Sequence, residues 1–299
     1  MISGKSYNRS KVVENITGLL MVLPTVIIFL IFLYFPFFNA IRISFYEYSG
    51  IGPIVDFVGL RNYRQAIVDP NYYNALGNIL KLMVIDVTVS ISVGFILAYI
   101  LFERVPGWRF FSSSLFIPYL ISMVVSGSIW TIIYDPTIGP VNAILKMMGM
   151  GNLARAWLGD PGTAMYCVAV TWIWRVIPFN MLIMYANILK MPIDFLEAAK
   201  IDGATLVQRI RYVIIPYLKP TFGVLFLLTV THDFRIFDTV WIMTQGGPAR
   251  ATEAITTYIY RKAFQNLEFG YASAISIIMM IMMFAVVAIV NIIRDRAKD

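Results

Sequence analysis

Glu197-Ala198-Ala199-Lys200-Ile201-Asp202-Gly203-Ala204, running on to Ile214-Ile215-Pro216, separates two long apolar runs, 163–189 and 221–244. Charges, a glycine and a proline gather between segments that carry few of them. Pro192 suits the opening of a helix, because the N–H it lacks is one that a first turn leaves unpaired anyway. Ile193, Leu196, Ala199 and Lys200 follow at helical spacing, with Glu197 and Asp202 on the wetter sides. Gly203, without a Cβ, is placed to end that helix, and Thr205 to cap a second one. In the second helix Leu206, Val207, Ile210, Val213 and Ile214 make an apolar stripe, with Gln208, Arg209 and Arg211 outside it. Pro216 is expected to break that helix before the next run. The stretch predicts a compact amphipathic knob, 190–220, between two membrane-crossing segments.

The rest of the chain agrees with a membrane setting. Hydrophobic residues make up 59% of its 299 residues and charged residues 14%, against roughly 45–50% and about 25% in soluble domains. A run of about 20 apolar residues spans roughly 30 Å of hydrocarbon as a helix. Such runs lie near 19–40, 75–101, 111–133, 163–189, 221–244 and 272–293. Helices satisfy their own backbone groups in lipid, so an all-α membrane protein with a six-helix transmembrane bundle is expected, as a single domain over 1–299. The first run is longer than the 7–15-residue apolar core of a signal peptide and has no small-residue cleavage site after it, so it is read as a retained helix. Ser90, Gly94 and Ala98 form a small-residue row suited to close helix packing.

Lys and Arg beside the runs set the orientation. One side holds Lys5, Arg9, Lys11, Arg104, Arg109, the five cations of 190–220 and Arg294, Arg296 and Lys298, 13 in short segments. The other side has 8 in longer loops. Both termini and the 190–220 knob are therefore expected on the cytoplasmic side of the membrane. The net charge of +7 reflects this bias and attraction to anionic lipid rather than nucleic-acid binding. One cysteine, Cys167, excludes an intrachain disulfide, and with one histidine, His232, no His/Cys metal cluster is expected.

The order Glu-Ala-Ala, a glycine four residues after Ala199 and an Ile-Pro thirteen residues after that glycine resembles the EAA loop of bacterial ABC-importer permeases. Generic amphipathicity alone would equally suit a helix lying on the membrane surface. Further matches join it. Phe234-Arg235-Ile236-Phe237-Asp238, then Thr244-Gln245-Gly246-Gly247-Pro248, resembles the signature of carbohydrate-uptake permeases of the maltose and glycerol-phosphate type. Phe57-Val58-Gly59-Leu60-Arg61-Asn62-Tyr63 and Phe269-Gly270-Tyr271-Ala272-Ser273-Ala274 continue the likeness over nearly the whole chain. The resemblance implies the type I ABC-importer fold, with Glu197, Ala198, Ala199, Asp202, Gly203 and Ala204 forming the coupling helix that docks on the ATPase. It also implies a second homologous permease, two ATP-binding cassette ATPases that hold ATP and Mg, and an extracytoplasmic solute-binding protein. The chain itself is then neither an enzyme nor a holder of cofactors or metals.

Ionisable residues inside spans are costly and mark a path or a paired site. Asp86 falls within the second run, Arg175 within the fourth, and Asp233, Arg235 and Asp238 within the fifth. Trp172, Trp174, Phe234 and Phe237, with Phe179, offer apolar ring faces beside them for the C–H faces of a sugar. On one continuous helix Thr231, Arg235, Asp238 and Ile242 would share a side, and Arg235 would pair with Asp238. The same charges would equally suit a structural network such as Asp86 with Arg175. A sugar or oligosaccharide is the expected cargo, with glycerol phosphate near Arg175 and Arg235 as the alternative. A channel or secondary carrier leaves the EAA stretch unexplained, and a membrane enzyme would need clustered catalytic groups that the chain lacks.

Overall fold

The structure, a computed structural model, describes residues 17–54 and 56–296, with side-chain surroundings through residue 292. Lys5, Arg9, Lys11 and Lys298 lie outside the described residues. In chain order the helices begin with α1 (Thr17–Ile43), α2 (Arg61–Val68), α3 (Pro70–Phe102), α4 (Trp108–Leu120), α5 (Met123–Ile133) and α6 (Pro140–Met147). Then come α7 (Ala164–Ile188), α8 (Ile193–Ile201), α9 (Leu206–Phe234), α10 (Asp238–Met243), α11 (Ile255–Tyr260) and α12 (Phe269–Arg296). Five helices are long and apolar enough to cross a membrane, or six if the bent pair α4–α5 is one span. Strand structure among the described residues is one short antiparallel pair, β1 (Tyr46–Glu47) with β2 (Asp56–Phe57).

The chain forms two compact units, Met1–Val68 with Lys262–Ile277, and Asp69–Arg261 with Ile278–Asp299. In the first unit two of the sequence motifs meet. Asn62 donates from Nδ2 to the carbonyls of Ser44 at 2.9 Å and Tyr46 at 3.0 Å. Gly270 donates its backbone N–H to Tyr48 O at 3.1 Å, and a Cβ there would sit 2.0 Å from Tyr46 O. Only glycine allows that approach, so 57–63 and 269–274 pack as one element.

In the second unit α3 and α7 pack along one another. Ser90, Gly94 and Ala98 are buried, and Asn180 donates to Ser90 Oγ at 2.9 Å. A Cβ on Gly94 would lie 3.0 Å from Asn180 Cβ and 3.1 Å from Met181 N. Gly94→Leu is therefore expected to separate the helices and destabilise the fold by about 1–3 kcal/mol, read as a lowered melting temperature of the purified chain. An unchanged melting temperature would contradict this contact.

Three spans depart from the straight runs expected. The third is broken: α4 and α5 meet at a 98° bend. Ser122 caps α5, accepting from Val125 N, two residues beyond the end of α4. The fifth begins early, because Pro216 does not end the preceding helix. A π-helical turn over Ile210–Ile214 comes just before it, and the wider ladder absorbs the missing N–H and the ring clash. The same device, Leu30–Tyr34 before Pro36, carries α1 through its proline. The fifth also ends early, at Phe234, followed by a break at 235–237. Ile236 is buried there, and the Thr256 hydroxyl, distant in sequence, bonds to its carbonyl. Arg235 and Asp238 thus fall on opposite sides of a break rather than on one helical face. No Arg235–Asp238 ion pair forms among the described residues.

Candidate functional site

Two helix breaks and the middle of α7 converge on a cavity of about 290 Å³, lined by Tyr119, Met123, Trp172, Arg175, Val176, Phe179, His232 and Arg235. The 98° bend supplies Tyr119 and Met123, and the end of α9 supplies His232 and Arg235. Arg175 Nε donates to Ile121 O at 3.1 Å, which ties α7 to the bend, and its guanidinium lies 5.6 Å from the centre of the Tyr119 ring. Phe179 stacks on Tyr119 at 5.3 Å and lies 6.4 Å from His232. Arg235 is exposed, with Nε bonded to Thr231 O at 3.2 Å. The result is a partly open pocket with two guanidinium groups, an imidazole and flat rings.

Behind the cavity lies a buried polar layer. Trp172 donates its indole N–H to Asp86 Oδ2 at 3.1 Å and to Asp233 Oδ1 at 2.8 Å, and both aspartates are fully buried. Asp86 is thus joined to Trp172 rather than to Arg175. Asp86 and Asp233 do not line the cavity. Trp174 lies edge-on to Trp130 at 5.6 Å, away from it. Phe234 is buried at the end of α9. Phe237 stacks on Trp241 at 5.6 Å and meets Tyr260 at 5.4 Å. Asp238 is half-buried in the first turn of α10. Of the nine path residues expected from sequence, Trp172, Arg175 and Arg235 line the cavity. Tyr119 and Met123 were not legible, because their place depends on the bend. Pro118 and Ser122 are the local signal for it. Among the described residues no group of three or more His, Cys, Asp or Glu could hold a metal.

The 190–220 stretch folds as a rigid knob. Gly203, at φ +73°, ends α8 in a Schellman turn: Gly203 N–H bonds Lys200 O at 3.1 Å and Ala204 N–H bonds Ala199 O at 2.9 Å. Thr205 opens α9 with a capping box, its N–H bonding Gln208 Oε1 at 2.7 Å while its Oγ1 accepts from Gln208 N. Leu196 is buried in a core cluster with Tyr99, Leu101, Met184, Ile188, Ile214 and Leu218, so α8 is anchored to the ends of α3, α7 and α9. Glu197, Ala198, Asp202 and Gly203 are exposed; Ala199 and Ala204 are half-buried. Ile201 is 86% exposed, and Ile193, Phe195, Leu206 and Val207 are exposed as well, so the knob carries apolar side chains outside its core.

The loop after α10 is held by buried polar contacts. Asn78 donates to Arg250 O and Glu253 O, each at 3.1 Å. Thr252 donates to Gly247 O at 2.7 Å, and Arg261 Nη2 lies 3.4 Å from Glu253 Oε1. Gly246, at φ +84°, leaves no room for a Cβ beside Glu253 Oε1. Glu253 lies outside the membrane-spanning helices. Burial pushes its carboxyl above the usual range, against the opposing pull of Arg261 and Thr257. A raised folded-state value means that the native protein binds this proton more tightly than the unfolded chain does. The resulting stability is full below the ordinary carboxylate range and is lost as pH rises through the raised value. The wild-type melting temperature should therefore rise from pH 7 to pH 5 more steeply than that of Glu253→Gln. Equal slopes would contradict the burial effect.

A family model described as binding-protein-dependent transport system inner membrane component matches residues 2–299. The chain is 35% identical over 256 residues to the probable ABC transporter permease protein YurN of Bacillus subtilis, covering 85% of this chain and 88% of that protein. It is 30% identical over 262 residues to the trehalose/maltose transport system permease protein MalF of Thermococcus litoralis, covering 87% and 88%. In fold it matches a chain of a bacterial ABC transporter involved in import of the acidic polysaccharide alginate, with TM-score 0.86, 23% identity and coverage of 98% of this chain and 100% of that one.

Proposed function

The chain belongs to the family of inner membrane components of binding-protein-dependent transport systems, and on that premise we propose that it is the permease subunit of an ATP-driven importer of a sugar or oligosaccharide. The observation that carries the cargo reading is the cavity where two helix breaks face α7. Guanidinium forks and an imidazole suit hydroxyls, while Trp172 and Phe179 suit the C–H faces of a pyranose. At about 290 Å³ it lies at the small end of ligand sites, which run from roughly 300 to 1,000 Å³. One chain then supplies half of a site, and a second, homologous permease supplies the rest.

The knob 190–220 docks in a groove of an ATPase subunit through Glu197, Ala198, Ala199, Asp202, Gly203 and Ala204, with Ile201 and Phe195 as apolar anchors. Two such ATPases hold ATP and Mg, and this chain holds neither. An extracytoplasmic binding protein delivers cargo on the opposite face. Both termini lie in the cytoplasm, as the Lys and Arg bias requires. Nucleotide shifts the transporter between inward- and outward-facing states only as far as its affinity differs between them. The anchoring of Leu196 in the core carries that shift from the knob into α3, α7 and α9.

Glycerol phosphate is the second reading, favoured by Arg175 and Arg235 on one cavity wall. Uptake into proteoliposomes holding the assembled transporter and its binding protein separates the two. Labelled maltose, trehalose and glycerol 3-phosphate are offered separately. Sugar uptake with no glycerol 3-phosphate uptake is expected; the reverse would assign the phosphate cargo.

A further inference from the structure

Trp172, Asp86 and Asp233 join three helices at one buried point. From this geometry we infer that Asp86 and Asp233 are positioning residues that clamp the Trp172 indole and so fix the floor of the cargo cavity. The inference rests on the proposed cavity and deepens it: the aspartates shape cargo preference without touching cargo.

Trp172 is 3% exposed, yet it lines the cavity. Its N–H points away from the cavity, toward Asp86 on α3 and Asp233 at the end of α9, at 3.1 and 2.8 Å. One donor shared between acceptors on two other helices fixes the ring in both tilt and depth. The two carboxyls also lie within hydrogen-bonding reach of one another, and Asp86 of Ser90, while neither aspartate forms an ion pair among the described residues. An electrostatic brace would place a cation beside them, and no such cation is bonded there. Two costly acidic side chains around one neutral donor are better explained by the orientation of that donor. α9 ends one residue after Asp233, so the clamp also sets where the break carrying Arg235 begins.

Acceptor geometry rather than negative charge is then what counts. An asparagine at either position keeps an oxygen for the indole and turns an amide N–H toward the other carboxyl. Alanine keeps neither.

The test uses the assembled transporter labelled with 5-fluorotryptophan, whose Trp172 ¹⁹F signal is assigned by its loss in Trp172→Phe among the six tryptophans of the chain. In Asp86→Asn and Asp233→Asn a single Trp172 signal near its wild-type position is expected, with the ratio of maltose to trehalose uptake within about twofold of wild type. In Asp86→Ala and Asp233→Ala that signal should split or broaden while the other tryptophans stay in place, and the ratio should move by about fivefold or more. An unmoved Trp172 signal in both alanine variants would overturn the clamp. So would a displaced signal in both asparagine variants, which decide alone if the alanine variants fail to accumulate. A displaced signal with an unmoved cargo ratio in the alanine variants would leave the clamp standing and count against the cavity reading on which it rests.

Discussion

Glu197→Arg is expected to cut ATP-driven uptake by about tenfold or more, as loss of a charged contact at a docking surface does, while the chain still inserts and folds. Glu197 is exposed and makes no hydrogen bond or ion pair among the described residues, so reversing its charge removes nothing from the fold. Gly203→Val should have the same functional result by another route. No atom crowds the position, but φ is +73°, where a β-branched residue is strained. The Schellman turn would open and swing Glu197 and Ile201 out of register with the rest of the knob. Both variants should lower co-purification of the ATPase with the tagged permease at unchanged membrane yield. Wild-type co-purification together with full uptake in both would contradict the docking role.

Arg235→Gln should lower sugar uptake by about tenfold or more and leave the melting temperature nearly unchanged. Its guanidinium faces the cavity from an exposed position, and its one hydrogen bond among the described residues runs to the end of its own helix. Arg175→Gln should lower both, because Arg175 Nε also secures the α4–α5 bend through Ile121 O. Asp238→Asn removes a negative charge from the first turn of α10, worth about 0.3–1 kcal/mol, and should change uptake little. Uptake and melting temperature measured side by side on the three variants separate the roles. Equal loss of stability in Arg235→Gln and Arg175→Gln, with normal transport by the surviving complex, would make the cavity wall structural.

Much of the molecule was legible from local pattern. Pro192, Gly203 and Thr205 stand where helix ends require them, and Ser90, Gly94 and Ala98 do face a neighbouring helix. What escaped depends on contacts distant in sequence. Hydropathy reads 221–244 as one span, yet α9 stops at Phe234 because Ile236 is buried and its carbonyl is bonded by Thr256, twenty residues on. Pro216 reads as a breaker, but a π turn just before it carries the helix through. Charge at depth marked Asp86, Asp233, Arg175 and Arg235 alike. The fold divides them into a buried pair holding an indole and two cations facing a cavity, a distinction that side-chain direction makes and spacing alone does not.

The most direct measurement is uptake of labelled maltose and trehalose by proteoliposomes containing this chain, its partner permease and the ATPase, with and without ATP, and with and without the binding protein. Accumulation of at least one sugar that requires both ATP and the binding protein, and that Glu197→Arg cuts by about tenfold or more, is the predicted result. Uptake that runs down its gradient without ATP, and at the same rate in Glu197→Arg, would mean that the chain is a channel or carrier in its own right and would contradict the account.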